Sequence, residues 1–139
     1  MTAYIKYSEI EIGRTATFAK TISEHDVYAF AGITGDFNPV HINAEYAKGT
    51  RFGERVAHGM LAASLISTVL GTILPGPGTI YLGQELKFTA PVKIGDTVTI
   101  RIEATEKRDD KRIVKFKTQA FNQEERMVLD GVATVIAPE

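Results

Sequence analysis

The sequence predicts an α+β domain in which roughly five antiparallel strands wrap one long buried helix. Three observations carry the prediction. The stretch "AHGMLAASLISTVLGTIL" places large apolar residues on every side of a helical wheel, so its helix must be enclosed by protein. Downstream of "PGPG" at Pro75 to Gly78, apolar and polar residues alternate with the period of a strand. No linker, repeat or composition break divides the 139 residues, so the whole chain, 1–139, reads as a single domain. A helix apolar all round and a half-polar sheet leave few layer arrangements, and the sheet must cover the helix.

The elements follow in order. "TATFAKTI", Thr15 to Ile22, alternates apolar and polar residues as a short strand. Ser23 then caps a helix with Glu24 and Asp26 in its first turn and Val27, Phe30 and Ala31 on one apolar face, and Gly32 or Gly35 ends it. Periodicity is lost from Gly35 to Arg55, apart from a turn at "NAEYAK" capped by Asn43, and ordered excursions of this length are often functional. The enclosed helix spans about five turns, roughly 25 Å. Ile80, Leu82, Leu86 and Phe88 share one face of a strand ending at Pro91. Two more strands, carrying Val98, Ile100, Ile102 and Ala104 and then Val114, Phe116, Thr118 and Ala120, pair across the turn "RDDK". The last, "RMVLDGVATVIA", is apolar on both faces and is placed inside the sheet with cover above and below. An open sheet of this kind has edges to protect, and a homodimer that pairs sheets or covers apolar patches is expected.

Composition narrows the function classes. A hydrophobic fraction of 44% and a charged fraction of 24% are those of a globular domain rather than a disordered or fibrous one. A net charge of -1 gives no electrostatic reason to bind nucleic acid. With no cysteine, thiolate nucleophiles, thiolate metal sites and disulfides are excluded, and chemistry must use oxygen or imidazole. Met60 to Leu74 falls short of the roughly 20 residues that span a bilayer, so no membrane partner is expected. "MTAYIKYSEIEIGR" carries scattered charges and no apolar signal segment, which points to the cytoplasm.

The chemistry concentrates in "GDFNPVHINAEYAKGTRFGERVAHGM", Gly35 to Met60. Pro39 fixes its own φ and biases Asn38 away from helical geometry, so Asp36 and His41 flank a stiff bend. Such a bend can aim a carboxylate and an imidazole at one small volume, with Asn38 hydrogen-bonded to either neighbour. Equally, Asp36 can cap a turn and His41 be a loop residue. His58 and Gly59 open the enclosed helix, whose first N–H groups lack intrahelical acceptors and can stabilise a carbonyl oxygen that gains charge. The same pair also suits a helix start that needs only a glycine and a satisfied histidine. No metal-ligand spacing links Asp36, His41 and His58, and no metal is expected. His25, beside Glu24 and Asp26, reads as a surface residue.

"TGDFNPVHIN" followed by "VAHGM" resembles the signature of the (R)-specific enoyl-CoA hydratases, the MaoC-like or hydratase 2 group of hotdog-fold proteins. The likeness extends through "HGMLAASLIS", "LPGPGTIYLGQELKFTAPVKIGDTV" and the terminal strands, nearly the whole chain. It implies a hotdog domain that reversibly hydrates trans-2-enoyl-CoA to (R)-3-hydroxyacyl-CoA, with coenzyme A as part of the substrate and no separate cofactor. Asp36 and His41 would hold and activate water. The N–H of Gly59 would receive the thioester oxygen, Asn38 and His58 would support the site, and Ser67 on the central helix would face it. The alternatives are a hotdog acyl-CoA thioesterase, a catalytically silent acyl-CoA-binding module, or a dehydratase acting on acyl carrier protein. The last would need a basic docking patch, for which Arg51, Arg55, Arg108 and Lys111 are the candidates.

Overall fold

The computed structural model describes residues 3–139. Five strands form one antiparallel sheet: β1 (Thr15–Thr21), β2 (Ile80–Phe88), β3 (Thr97–Arg108), β4 (Ile113–Phe121) and β5 (Met127–Ile136), in the order β1-β3-β4-β5-β2. The meander expected of the downstream strands is β3-β4-β5, and β2 folds back to pair with β5. The helices are α1 (Glu24–Thr34), two single turns α2 (Pro39–Ile42) and α3 (Ala44–Lys48), and α4 (Gly59–Thr72). The sheet curls around α4: Leu61, Leu65, Ile66, Val69 and Leu70 join Val98, Ile100, Ile102, Phe116, Leu129, Ala133 and Val135 in one buried core. Each of these side chains larger than alanine contributes about 1.5 to 3 kcal/mol relative to exposure. No helix among the described residues is long and apolar enough to cross a membrane.

Four expectations require correction. The central helix is shorter than five turns: its 14 residues end at Thr72, because Ile73 leaves helical geometry (φ -123, ψ -59) before Pro75. Nor is it enclosed on every side. Met60 is 57% exposed, and Ser64 and Ser67 are also exposed, so a stripe at helical spacing faces outward beside β2. In β2 the shared face is interrupted, since a bulge between Tyr81 and Gly83 shifts the register and reverses which side later residues occupy. As an edge strand, β2 leaves Ile80, Leu82 and Phe88 more than half exposed, while Leu86 packs against the core. Finally, β5 has a neighbour on each side but one covered face: Leu129, Ala133 and Val135 are buried, whereas Val132 is 37% exposed.

The helix that leads into the long excursion is set by its caps. Ser23 Oγ accepts from the Asp26 N–H at 3.1 Å, and an Asp26 carboxylate oxygen accepts from the Ser23 N–H at 2.9 Å, a reciprocal box that closes the first turn. Gly35, not Gly32, ends the helix at φ 80, a left-handed conformation that glycine adopts without cost. The Ser23 N–H, followed by the Lys20 ammonium 3.0 Å away and the Ser23 hydroxyl, holds the Asp26 carboxyl below the usual carboxylate range against partial desolvation. A depressed folded-state pKa stabilises the protein above the unfolded value and is lost as pH falls through the folded one. Asp26→Ala is therefore expected to cost about 1 kcal/mol at neutral pH, with the deficit shrinking below about pH 4. Thermal melts of both proteins at the two pH values would show it, and a constant deficit would contradict it.

Candidate active site

Three short segments meet at the amino end of α4. Asn38 takes an extended conformation (φ -52, ψ 121) ahead of Pro39, and its Oδ1 accepts from the Val40 N–H at 3.3 Å, so the bend passes directly into α2. His41 sits one residue later. Next, the chain returns through α3, capped by Asn43, whose Oδ1 accepts from the Tyr46 N–H at 3.0 Å. Backbone bonds tie down the segment before α4, beside the ion pair of Arg55 with Glu24. Val56 bridges Lys93, the Ala57 N–H donates to the Val92 carbonyl at 2.7 Å, and the Val56 N–H donates to the Val40 carbonyl at 3.3 Å.

This anchoring fixes the imidazoles. His41 Nδ1 is 2.7 Å from the Val56 carbonyl oxygen, which can only accept, so Nδ1 carries a proton and, in the neutral ring, Nε2 is the nitrogen with the lone pair. His58 Nε2 lies 3.0 Å from the Asp36 carbonyl and donates to it by the same reasoning. The two rings stack with centroids 3.9 Å apart and planes inclined by 27°, and Phe30 closes the far side of His58 at 4.9 Å. His58 Nδ1 is buried without a hydrogen-bond partner, a deficit of the order of 1 to 3 kcal/mol.

Asp36 is exposed, and one carboxylate oxygen accepts from the Asn38 N–H at 3.2 Å. Asn38 thus touches Asp36 through its backbone, while its side chain caps α2. One carboxylate oxygen of Asp36 and one ring nitrogen from each histidine lie within 4.8 Å of one another. Each histidine spends one ring nitrogen on a carbonyl, His41 Nδ1 and His58 Nε2, which leaves His41 Nε2 and His58 Nδ1 as the nitrogens not so engaged.

Gly59 completes the group as the first residue of α4, where the N–H has no intrahelical acceptor. A Cβ at this position would stand 2.7 Å from Cε1 of Phe88, so the ring of Phe88 lies against the bare glycine. Asp36, His41, His58 and Gly59 all line one cavity of about 590 Å³, walled on its apolar side by Phe52, Val56, Phe88, Val92, Val128 and Leu129. That volume and lining suit an acyl chain with a few polar groups at one end.

Ser67 is not brought to this cavity. Two turns along α4 it lines a separate groove with Ser64, Leu82, Gly83 and Gln84, because its face of the helix points toward β2. Of the basic candidates, Arg55 is paired with Glu24 and Arg108 with Asp110, and only Arg51 lines the cavity. His25 is exposed, as expected. Sequence reasoning missed Arg126, which reaches the cavity from the turn between β4 and β5. It also missed the stacking of the two imidazoles. The one available signal was a polar residue directly ahead of an apolar helix, in a segment too short of polar neighbours to satisfy it.

A long helix inside a curled antiparallel sheet, with a polar site at the helix's amino end, defines a hotdog-fold protein. The match to the MaoC like domain covers residues 8–125, and the chain belongs to that family. It is 51% identical over 132 residues to an (R)-specific enoyl-CoA hydratase of Rhodospirillum rubrum, an alignment covering 95% of this chain and 91% of the relative. A 3-hydroxybutyryl-CoA dehydratase of Methylorubrum extorquens is 45% identical over 133 residues, covering 96% and 84%. Among solved structures, the unliganded R-hydratase PhaJ1 of Pseudomonas aeruginosa superposes with a TM-score of 0.94 at 50% identity, covering 98% of this chain and 87% of that one.

Proposed function

We propose that the chain is an (R)-specific enoyl-CoA hydratase, adding water reversibly across a trans-2-enoyl thioester by means of Asp36 and His41. The observation that carries the reading is the convergence of the Asp36 carboxylate and the His41 imidazole in one cavity with the free N–H of Gly59. The identities of the relatives from Rhodospirillum rubrum and Aeromonas caviae, both named (R)-specific enoyl-CoA hydratase, support it.

Hydration needs an oxygen nucleophile at the β-carbon, a proton at the α-carbon and a sink for enolate charge. His41 Nε2, left with its lone pair by the Nδ1 bond to Val56, accepts a proton as the water oxygen attacks. The Asp36 carboxylate accepts the other hydrogen of that water and so orients it. As the β-carbon gains oxygen, negative charge moves to the thioester oxygen, where the Gly59 N–H and the amino end of α4 receive it. One of the two side chains then returns a proton to the α-carbon. Both lie on one wall of the cavity, so water and proton arrive on the same face and addition is syn. The proposal includes no metal or separate cofactor, and it includes a cytoplasmic location for the chain.

The decisive assay mixes purified protein with crotonyl-CoA and follows loss of conjugated-thioester absorbance, free thiol and the chirality of the product. Formation of (R)-3-hydroxybutyryl-CoA without thiol release is expected. Thiol release would make the chain a thioesterase instead, and inertness toward a ladder of enoyl-CoA lengths would overturn the assignment.

The same reading includes a homodimer. The edge strand β2 exposes Ile80, Leu82 and Phe88 beside Met60 of α4, an unpaired edge with apolar side chains that a second copy would cover. Leu82→Lys, at the bulge, is expected to shift the protein from dimer to monomer in sedimentation velocity at micromolar concentration. A wild-type protein that sediments as a monomer would refute the pairing.

A further inference from the structure

The lining of the catalytic cavity changes character from inside to outside. His41 and His58, 9% and 2% exposed, form its buried part, whereas Asp36, Arg51 and Arg126 line it as exposed residues. These two arginines differ from the others in the chain. Arg55, Arg101 and Arg108 are held by Glu24, Glu125 and Asp110, while Arg14 and Arg112 donate to the carbonyls of Glu9 and Ala137. Among the described residues, Arg51 and Arg126 alone have neither a carboxylate within ion-pair distance nor a carbonyl acceptor for the guanidinium. Both line the same cavity, although they are far apart in sequence.

Local structure holds each of them in place. Arg51 lies over the ring of Phe52, its guanidinium carbon 5.5 Å from the ring centroid, and Phe52 itself lines the cavity. Arg126 follows a tight turn in which Asn122 Oδ1 accepts from the N–H groups of both Glu124 and Arg126, and it immediately precedes β5. Its neighbour Glu125 is engaged by Arg101 in a two-pronged contact and so is turned to another partner. Asp36 is the cavity's single carboxylate and belongs to the dyad, which leaves the two guanidiniums without an internal counter-charge.

An acyl thioester that enters with its reacting carbons toward the histidines leaves its carrier end among these arginines. Both possible carriers, coenzyme A and the phosphopantetheine arm of a carrier protein, are phosphorylated there. Guanidinium presents a planar fork of donors that matches phosphate oxygens. We propose that Arg51 and Arg126 form a phosphate subsite at the mouth of the cavity, which grips the carrier end of the thioester and takes no part in the chemistry. The proposal rests on the hydratase reading for the substrate's orientation.

The test compares three crotonyl thioesters, of coenzyme A, of 4′-phosphopantetheine and of N-acetylcysteamine, with wild type and the variants Arg51→Ala, Arg126→Ala and both together. The double variant is expected to raise KM for crotonyl-CoA at least about tenfold while kcat stays within about twofold. The loss of kcat/KM on crotonyl-CoA should exceed that on the phosphate-free thioester by about tenfold or more. A matching loss on the phosphopantetheine thioester assigns the contact to the phosphate that both carriers share, and a loss on crotonyl-CoA alone assigns it to the nucleotide phosphates. Equal losses on all three thioesters, or none on crotonyl-CoA, overturn the proposal. Titration calorimetry with free coenzyme A separates the two readings: arginine-dependent binding by a protein that hydrates nothing would retain the subsite and remove the hydratase.

Discussion

Asp36→Asn is expected to lower the turnover of crotonyl-CoA at least about 100-fold while shifting the melting temperature by no more than a few degrees. The two halves of this expectation have different sources. Asp36 is exposed, and its side chain makes a single local contact, accepting from the Asn38 N–H. Asparagine keeps an oxygen there, so the bend and its backbone bond from His58 survive. What the amide lacks is the charge and the second acceptor oxygen with which a carboxylate holds water against His41. The pair of measurements is a rate by absorbance and a thermal melt on the same preparation. Turnover within tenfold of wild type would remove Asp36 from the mechanism, and a collapsed melt would make Asp36 structural.

His41→Gln should be at least as damaging to rate and somewhat more costly to stability. A glutamine amide can still donate to the Val56 carbonyl, but no atom of it can take the place of Nε2 as a base with a bare nitrogen lone pair. The substitution also removes the ring that stacks on His58, so a loss of about 1 kcal/mol is expected from packing alone. Stopped or steady-state assays with crotonyl-CoA would report the rate, and denaturant titration the stability. Retention of a tenth or more of the wild-type turnover would show that another group abstracts the proton.

How far the sequence predicts this site depends on the range of the interactions that build it. Asp36, Asn38, Pro39 and His41 are close in the chain, and a proline-braced bend brings them together through local geometry, so they could be nominated from spacing. β1, the start of α1 and the β3-β4 hairpin were legible for the same reason: period-two alternation and a serine N-cap followed by acidic residues are local signals. The turn α2 was not, because four residues are too few to show a period. The juxtaposition of His41 and His58 depends on Val56 meeting Lys93, a contact between distant segments that no window detects. Arg126 is absent from the sequence-derived site on the same account. Met60 of α4 and Ile80, Leu82 and Phe88 of β2 misled in another way: apolar composition there matched burial, and the single chain leaves them more than half exposed.

The bonds that orient both imidazoles end on main-chain carbonyls, those of Val56 and Asp36. Proton handling is therefore insulated from the identity of most surrounding side chains. Wall residues that touch neither Gly59 nor the buried core, Phe52 first among them, can be enlarged or trimmed to retune which acyl groups fit, as long as the peptide path through Val56 and Ala57 stays pinned to Val92 and Lys93. A designer seeking new chain-length tolerance has a broad wall to work on and a narrow ribbon of backbone to leave alone.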